Sequence, residues 1–285
     1  MKKKLIISAS VLIGLIVIVL TLCFTVFTVK TVQIDFRTST TQSFNDKDII
    51  EDSEIEFGKC LLFMSKENYI QNIEKSNPYI KVINIEKTFP SSLIIHCAER
   101  QSIYAIEDET KTIYCDEDFK VLQIKDSLHS STKENEILLK NIEVSDDIAP
   151  GDFLDINQKA LKQLYPAMLE NSLGLNQFLG FCKEIEPEVK VNDLTSKEET
   201  HLTITTFTNR KIRILNIDSN LNFKIQRMLQ ALPKLYEMLL DNGDYTEEEV
   251  NKCTLVIGNQ ILDESELYVH IYLDGVIIES PHKTN

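Results

Sequence analysis

The first thirty positions show no alternation at all. Leu5–Val29 runs for 25 residues without a charge, directly after Lys2, Lys3 and Lys4. About 20 apolar residues let a helix cross a hydrocarbon core, and lysines gather on the cytoplasmic side of such a span. The run predicts an uncleaved membrane anchor bounded by Leu5 and Val29, with a short cytoplasmic tail at residues 1–4 and Lys30 onward outside. A signal peptide would have a shorter apolar stretch, about 7–15 residues, ending at a small-x-small site. Ser8-Ala9-Ser10 has that chemistry but comes too early, and Leu22 before Cys23 is too large for a lipoprotein site.

Past the anchor the period changes repeatedly. Thr31-Val32-Gln33-Ile34-Asp35-Phe36 alternates with period two and predicts a strand. Asn45 or Asp46 can cap a short helix carrying Ile49 and Ile50. Gly58 allows a turn before Cys60-Leu61-Leu62-Phe63. Ser65 opens a second helix, with Glu67 and Asn68 in its first turn and Tyr69, Ile70 and Ile73 as its stripe. Asn77-Pro78 ends it, because proline disfavours helical geometry in the residue before it. The apolar runs Tyr79–Ile85 and Leu93–Cys97 then flank Thr88-Phe89-Pro90-Ser91-Ser92, which reads as a hairpin turn. The order is strand, helix, helix, strand, strand.

From Gln101 onward the pattern is looser. Ile103–Ile106, Ile113–Cys115 and Val121–Ile124 predict short strands, and Lys125–Glu136 a polar surface loop. Ile137–Ile142 is apolar and Asp146–Gly151 turns the chain. Leu161, Leu164, Tyr165, Met168 and Leu169 form a helical stripe that Pro166 interrupts, since proline lacks an amide hydrogen. Ile185–Val191 predicts a strand. His201–Phe207 and Lys211–Leu215 predict a hairpin about Thr208-Asn209-Arg210, with Asn192–Thr200 a polar connection. Ser219 can cap a helix with Phe223, Ile225, Met228, Leu229 and Leu232 along one side. Cys253–Ile257, Leu267–Leu273 and Val276–Ile278 close the pattern, and Asp274-Gly275 between the last two is a strong hairpin signal.

Composition narrows what such a chain can do. Residues 30–285 hold 27 Lys and Arg against 44 Asp and Glu, a net charge of −17. A field of that sign repels phosphate backbones, so nucleic acid is not the expected partner. The five cysteines outside the anchor are isolated and odd in number, and several sit inside apolar runs, which argues for buried thiols over a disulfide frame. His96-Cys97 cannot act as a dyad on a strand, because neighbours face opposite ways. The histidines lack paired metal-ligand spacing, and Asp116-Glu117-Asp118 lacks the length of a calcium loop and reads as a solvated turn. Glu99-Arg100 reads as the close of a strand at a domain junction. With no nucleophile elbow, phosphate loop or zinc motif, the expectation is a binding protein without catalytic, metal or cofactor residues and without a small-molecule substrate.

The first part of the chain resembles a POTRA domain of the FtsQ/DivIB bacterial cell-division proteins. The resemblance lies in Gly58 with Leu61-Leu62-Phe63, Pro78-Tyr79-Ile80, Lys87-Thr88-Phe89-Pro90-Ser91-Ser92-Leu93 and Glu99-Arg100. Ile113–Leu122 is similar to a hairpin of that family, with Phe119 where glycine is usual, and the 201–215 hairpin followed by a helix with Lys224 near its start is similar to its β domain. The resemblance implies an α+β architecture: a single transmembrane helix (5–29), a POTRA-like β-α-α-β-β domain (30–100), a second mixed domain with mostly antiparallel strands (101–280) and a tail (281–285). It also implies a non-enzymatic scaffold at the bacterial division septum that meets partners of the FtsL and FtsB/DivIC type and helps control septal wall synthesis, with the bilayer engaged through the helix. The other readings are a POTRA-bearing secretion or assembly factor and an extracytoplasmic wall-processing enzyme. Partner contact is expected on the last strands, with Tyr268, His270, Tyr272, Val276 and Ile278 as candidates, because Tyr268, His270 and Tyr272 share one face of a strand and tyrosine adds contact area at modest entropic cost.

Overall fold

The computed structural model describes residues 2–38, 40–129, 136–156, 159–171, 174–192, 195–241, 246, 254–257 and 268–271. The chain divides into two compact units, Met1–Gln101 and Ser102–Asn285.

The first unit begins with helix α1, Lys2–Thr25. Its side chains are described from Val11, and residues 11–20 are exposed on every side although nearly all are Val, Leu or Ile. Two hydroxyls in it turn back onto the helix: Thr21 Oγ donates to the Val17 carbonyl at 2.8 Å and Thr25 Oγ to that of Thr21 at 2.6 Å. Among the described residues no helix is long and apolar enough to cross a membrane. The helix stops short of Val29, which is 1% exposed and belongs to the core of the unit that follows.

That unit is a three-stranded sheet of β1 (Thr31–Phe36), β2 (Ile80–Thr88) and β3 (Ser92–Glu99), in the order β1-β3-β2, with β1 parallel to β3 and β2 antiparallel to it. A parallel pair needs a long crossover, and α2 (Asp46–Asp52) and α3 (Glu67–Ser76) supply it. Asn45 caps α2 as expected, its Oδ1 accepting from the Lys47 amide at 3.1 Å. Ile49 of α2 and Tyr69 and Ile73 of α3 pack on Ile80, Val82, Ile85, Leu93, Ile95 and Cys97. Strict alternation on β3 buries Leu93, Ile95 and Cys97 and turns Ile94 and His96 the other way. On β2 a bulge between Val82 and Asn84 breaks the alternation. An extra residue on one strand shifts every later side chain to the other face, so Val82 and Ile85 are both buried and Ile83 is left outside.

The second unit is one nine-stranded sheet. It comprises β4 (Tyr104–Asp108), β5 (Lys111–Cys115), β6 (Val121–Lys125), β7 (Ile137–Leu139), β8 (Cys182–Asn192), β9 (Lys197–Thr206), β10 (Lys211–Ile214), β11 (Thr254–Ile257) and β12 (Tyr268–Ile271), in the order β12-β11-β10-β9-β8-β7-β4-β5-β6. The expectation of mostly antiparallel strands is corrected here. Of the eight neighbouring pairs, β4–β7, β7–β8, β10–β11 and β11–β12 are parallel. The physical reason lies in the connections. Helices α4 (Lys159–Glu170) and α5 (Leu175–Phe181) lie between β7 and β8, and α6 (Leu221–Asp241) between β10 and β11. These helical returns bring β8 and β11 back parallel to β7 and β10, while β4 and β7 become parallel through the β5–β6 strands between them. A row of apolar residues crosses the sheet in register: Val269, Leu255, Ile212, Ile204, Ile185, Leu139, Ile106, Ile113 and Ile124. Its described members pack with Leu161, Leu164 and Met168 of α4, Phe178 of α5 and Leu221, Ile225 and Met228 of α6.

Three local features depart from the sequence reading. The polar stretch before His201 is itself strand, since β9 starts at Lys197 and pairs along its length with β8. Helix α5 was not foreseen, although Leu175, Phe178 and Leu179 have helical spacing. Before α6 a buried lysine ties the chain: the Lys224 ammonium donates to the carbonyls of Leu215 (2.9 Å), Asn216 and Ser219 (2.8 Å), holding the turn that leads into the helix. Desolvation is the main cause holding the Lys224 pKa below that of a free lysine.

Candidate functional site: the last described strand of the large sheet

Strand β12 is the last strand of the nine among the described residues. It pairs parallel with β11, Thr254 to Tyr268, Leu255 to Val269, Val256 to His270 and Ile257 to Ile271. Leu255, Val256 and Ile257 are buried, so β11 is an interior strand held firmly in the sheet. Among the described residues no strand follows β12, and that is the position at which another chain can extend a sheet.

The register fixes how the candidate residues are placed. Val269 continues the apolar row that faces the helices, whereas His270 lies in a row with Val256, Arg213, Thr203 and Glu186. Tyr268 shares the His270 face by alternation. That face carries polar pairing further along, where Arg213 Nη2 meets Glu188 Oε2 at 2.7 Å. Tyr268 and His270 thus lie two positions apart on β12, in register with Thr254 and Val256 of β11. Tyr272, Val276 and Ile278 lie outside the described residues, as does the hairpin expected at Asp274-Gly275.

The opposite end of the sheet is treated differently. Along the start of β6 the chain folds back: the Gly151 amide donates to the Val121 carbonyl at 2.8 Å, the Val121 amide to Asp152 at 2.8 Å and the Leu154 amide to Phe119 at 3.0 Å. This capping occupies backbone groups that an incoming strand would need.

The remaining chemistry-bearing residues are accounted for structurally. The acidic turn is less solvated than its sequence implies. Asp116 is buried and its Oδ1 accepts from the amides of Asp118 and Lys120, both at 2.9 Å. The carboxylates of Asp116, Glu117 and Asp118 lie close enough together to contact one ion, yet Asp116 already shapes the turn. Cys97 is fully buried and its thiol is pushed up to about 12, chiefly by desolvation. His96 stands on the opposite face, between Glu86 (3.2 Å) and Asp35 (2.8 Å). His201 is buried, its Nδ1 accepts from the Asn216 amide at 3.1 Å, and burial lowers its pKa. Arg100 is 5% exposed; it pairs with Glu74 at 2.9 Å and donates to the Ile80 carbonyl at 3.3 Å. Cys23, Cys60, Cys97, Cys115 and Cys182 are free thiols, all buried.

Residues 27–100 match the FtsQ-type POTRA domain. The chain is 35% identical over 116 residues to the cell division protein DivIB of Clostridium tetani, covering 40% of this chain and 42% of that protein. It is 25% identical over 137 residues to the cell division protein DivIB of Clostridium acetobutylicum, covering 47% and 53% respectively. The matched stretch thus spans about half the length of these relatives.

Proposed function

For a chain that belongs to the FtsQ/DivIB family of cell-division proteins, we infer the role of a non-enzymatic, membrane-anchored scaffold of the bacterial division complex. In this reading α1 crosses the cytoplasmic membrane with its N-terminus inside, and both units stand outside at the septum. What supports the anchor is the uncharged run Leu5–Val29 together with the exposure of residues 11–20 on all sides of α1. A helix apolar all round is stable in lipid but not in water. The intrahelical bonds of Thr21 and Thr25 agree with this, because a hydroxyl in hydrocarbon must find its partner on its own helix.

The small single-span division proteins of the FtsL and FtsB/DivIC type are the partners. One observation carries the docking reading: β12 is the last strand of the large sheet among the described residues, while the other end is capped by 151–154. A partner segment adding to β12 gains main-chain hydrogen bonds from the edge and specificity from alternate side chains. The Tyr268–His270 face, with Tyr272, Val276 and Ile278 beyond it, is the proposed contact. The second unit is one continuous mixed sheet and not a further β-α-α-β-β repeat, which separates this reading from that of a secretion factor with serial POTRA domains.

The test is a pull-down of the single-span partners by the full chain, by a chain truncated after Leu262 and by Tyr272→Ala. Truncation should abolish capture, and Tyr272→Ala should weaken it with the fold retained. Unchanged capture by a folded truncation would remove this edge from the docking site.

A further inference from the structure

Outside α1 and the Val26 that directly follows it, the exposed large hydrophobic residues described in the first unit are Phe57, Leu62, Phe63, Ile83 and Phe89. Ile83 is explained by the bulge in β2. The other four gather at one place, where α1 hands over to the folded unit. There the Leu61 amide donates to the Phe27 carbonyl at 2.8 Å, the Gly58 amide to Val29 at 2.9 Å, and the Val29 amide to Lys59 at 3.0 Å. The Lys30 amide donates to Ser91 at 2.8 Å, and the Phe27 and Phe89 rings meet edge-on with centroids 5.8 Å apart. The two loops that carry Phe57, Leu62, Phe63 and Phe89 are therefore tied by backbone bonds to the five residues after the helix.

These side chains point away from the core beside the last turn of α1. Phe63 is 77% exposed, Phe57 59%, Phe89 53% and Leu62 46%, and Phe24 on the helix itself is 72% exposed. Four large apolar side chains in water around one spot are unfavourable unless something covers them. What adjoins them without a break is the apolar surface of α1. Lys30 and Lys59 lie beside the ring, Glu56 is 3.8 Å from Lys59, and the long lysine stems can carry their ammonium groups outward.

We propose that Phe57, Leu62, Phe63 and Phe89 form an apolar collar that sits in the interfacial layer of the bilayer, with phospholipid as its partner. This rests on the reading of α1 as the membrane anchor. Aromatic side chains favour that layer, where amphipathic surfaces lie at about 5–10 Å depth. The collar then holds the POTRA unit against the membrane as a second contact, so the unit does not swing freely about residues 25–30. Because the collar itself is apolar, zwitterionic lipid is sufficient.

The chain contains no tryptophan, so single substitutions give clean probes. Phe63→Trp and Phe89→Trp report on the collar and Val17→Trp on the anchor. Lys47→Trp lies past the far end of β1 and serves as the aqueous control. Each full-length variant is reconstituted in phosphatidylcholine vesicles, and emission is measured with lipids brominated near the carbonyl end or deep in the chain. Phe63→Trp and Phe89→Trp should show blue-shifted emission and lose about half of it to the shallow quencher. Val17→Trp should respond most to the deep one, and Lys47→Trp to neither. If Val17→Trp is quenched while both collar probes behave like Lys47→Trp, the collar is wrong and the anchor stands. If Val17→Trp is not quenched either, the anchor reading falls and the collar with it. Shielding of the collar probes from aqueous acrylamide only at high protein density would assign the ring to contacts between copies of this chain and overturn the lipid assignment.

Discussion

Phe119 occupies the position of a turn glycine, with φ = +62°, and is fully buried. A side chain in the left-handed region raises the energy by about 1–2 kcal/mol. The ring offsets this by stacking on Tyr104, centroids 4.9 Å apart and planes 5° from parallel. Phe119→Gly should relieve the backbone but lose the stack, and Phe119→Ala should lose the stack while keeping the strain. In urea unfolding both should be destabilised, alanine more than glycine by about 1 kcal/mol; equal losses would deny that the backbone is strained. His96 gives a prediction in pH. Hydrogen bonds to Glu86 and then Asp35 raise its pKa above the ordinary value, against the smaller opposing effects of desolvation and of Arg37. A raised folded-state pKa contributes stability that is complete below the unfolded value of about 6.5 and is lost as pH climbs through the folded one. The first unit should therefore melt lower at pH 8 than at pH 6, and His96→Gln should flatten that difference.

At the scale of elements, β2, β3 and α3 are joined by one buried ion pair. Arg100 follows β3 and reaches Glu74 on α3, and Glu74 Oε1 also accepts the Val82 amide at 2.8 Å beside the β2 bulge. Glu99 faces the other way and takes the Thr41 amide and hydroxyl, both at 2.6 Å, holding the β1–α2 connection to the end of β3. The pair read from sequence as a domain junction thus closes the POTRA fold on itself. Removing one partner of a buried pair leaves a stranded charge, which costs about 3–5 kcal/mol, whereas an apolar replacement of both is far milder. Arg100→Ala should destabilise the first unit by that amount in thermal unfolding, and Glu74→Met with Arg100→Met should recover most of it. Comparable losses in the two variants would mean that the geometry around the pair, not its charge, matters.

For the whole molecule, the division into two compact units predicts that they can fail separately. Ile95 is fully buried between α2, α3 and the sheet. Ile95→Asp places an unpaired carboxylate there and should unfold the first unit, by several kcal/mol. Amide protection in β8 and β9 should persist in the same protein, as hydrogen exchange can show. Loss of protection in both units together would make the molecule one cooperative body.

The sequence by itself determined the elements whose signals are local. Period-two alternation marked β1 and β3, the Asn45 cap and the Tyr69–Ile73 stripe marked the two helices, and the order of these pieces already resembled the POTRA pattern. Periodicity and capping depend on residues within a turn or two of each other, so they survive in a bare sequence. Tertiary structure decided what depends on distant partners. The direction of β8 and β11 follows from which neighbour α4, α5 and α6 return them to, and no strand encodes its own partner. The bulge at Val82–Asn84 set which of the consecutive apolar residues faced inward. Phe119 could hold a glycine position because Tyr104, fifteen residues earlier, receives its ring. The last strands were legible as strands that could meet a partner, but the parallel pairing of β12 with β11 and its place in the order of the described strands are properties of all nine strands at once.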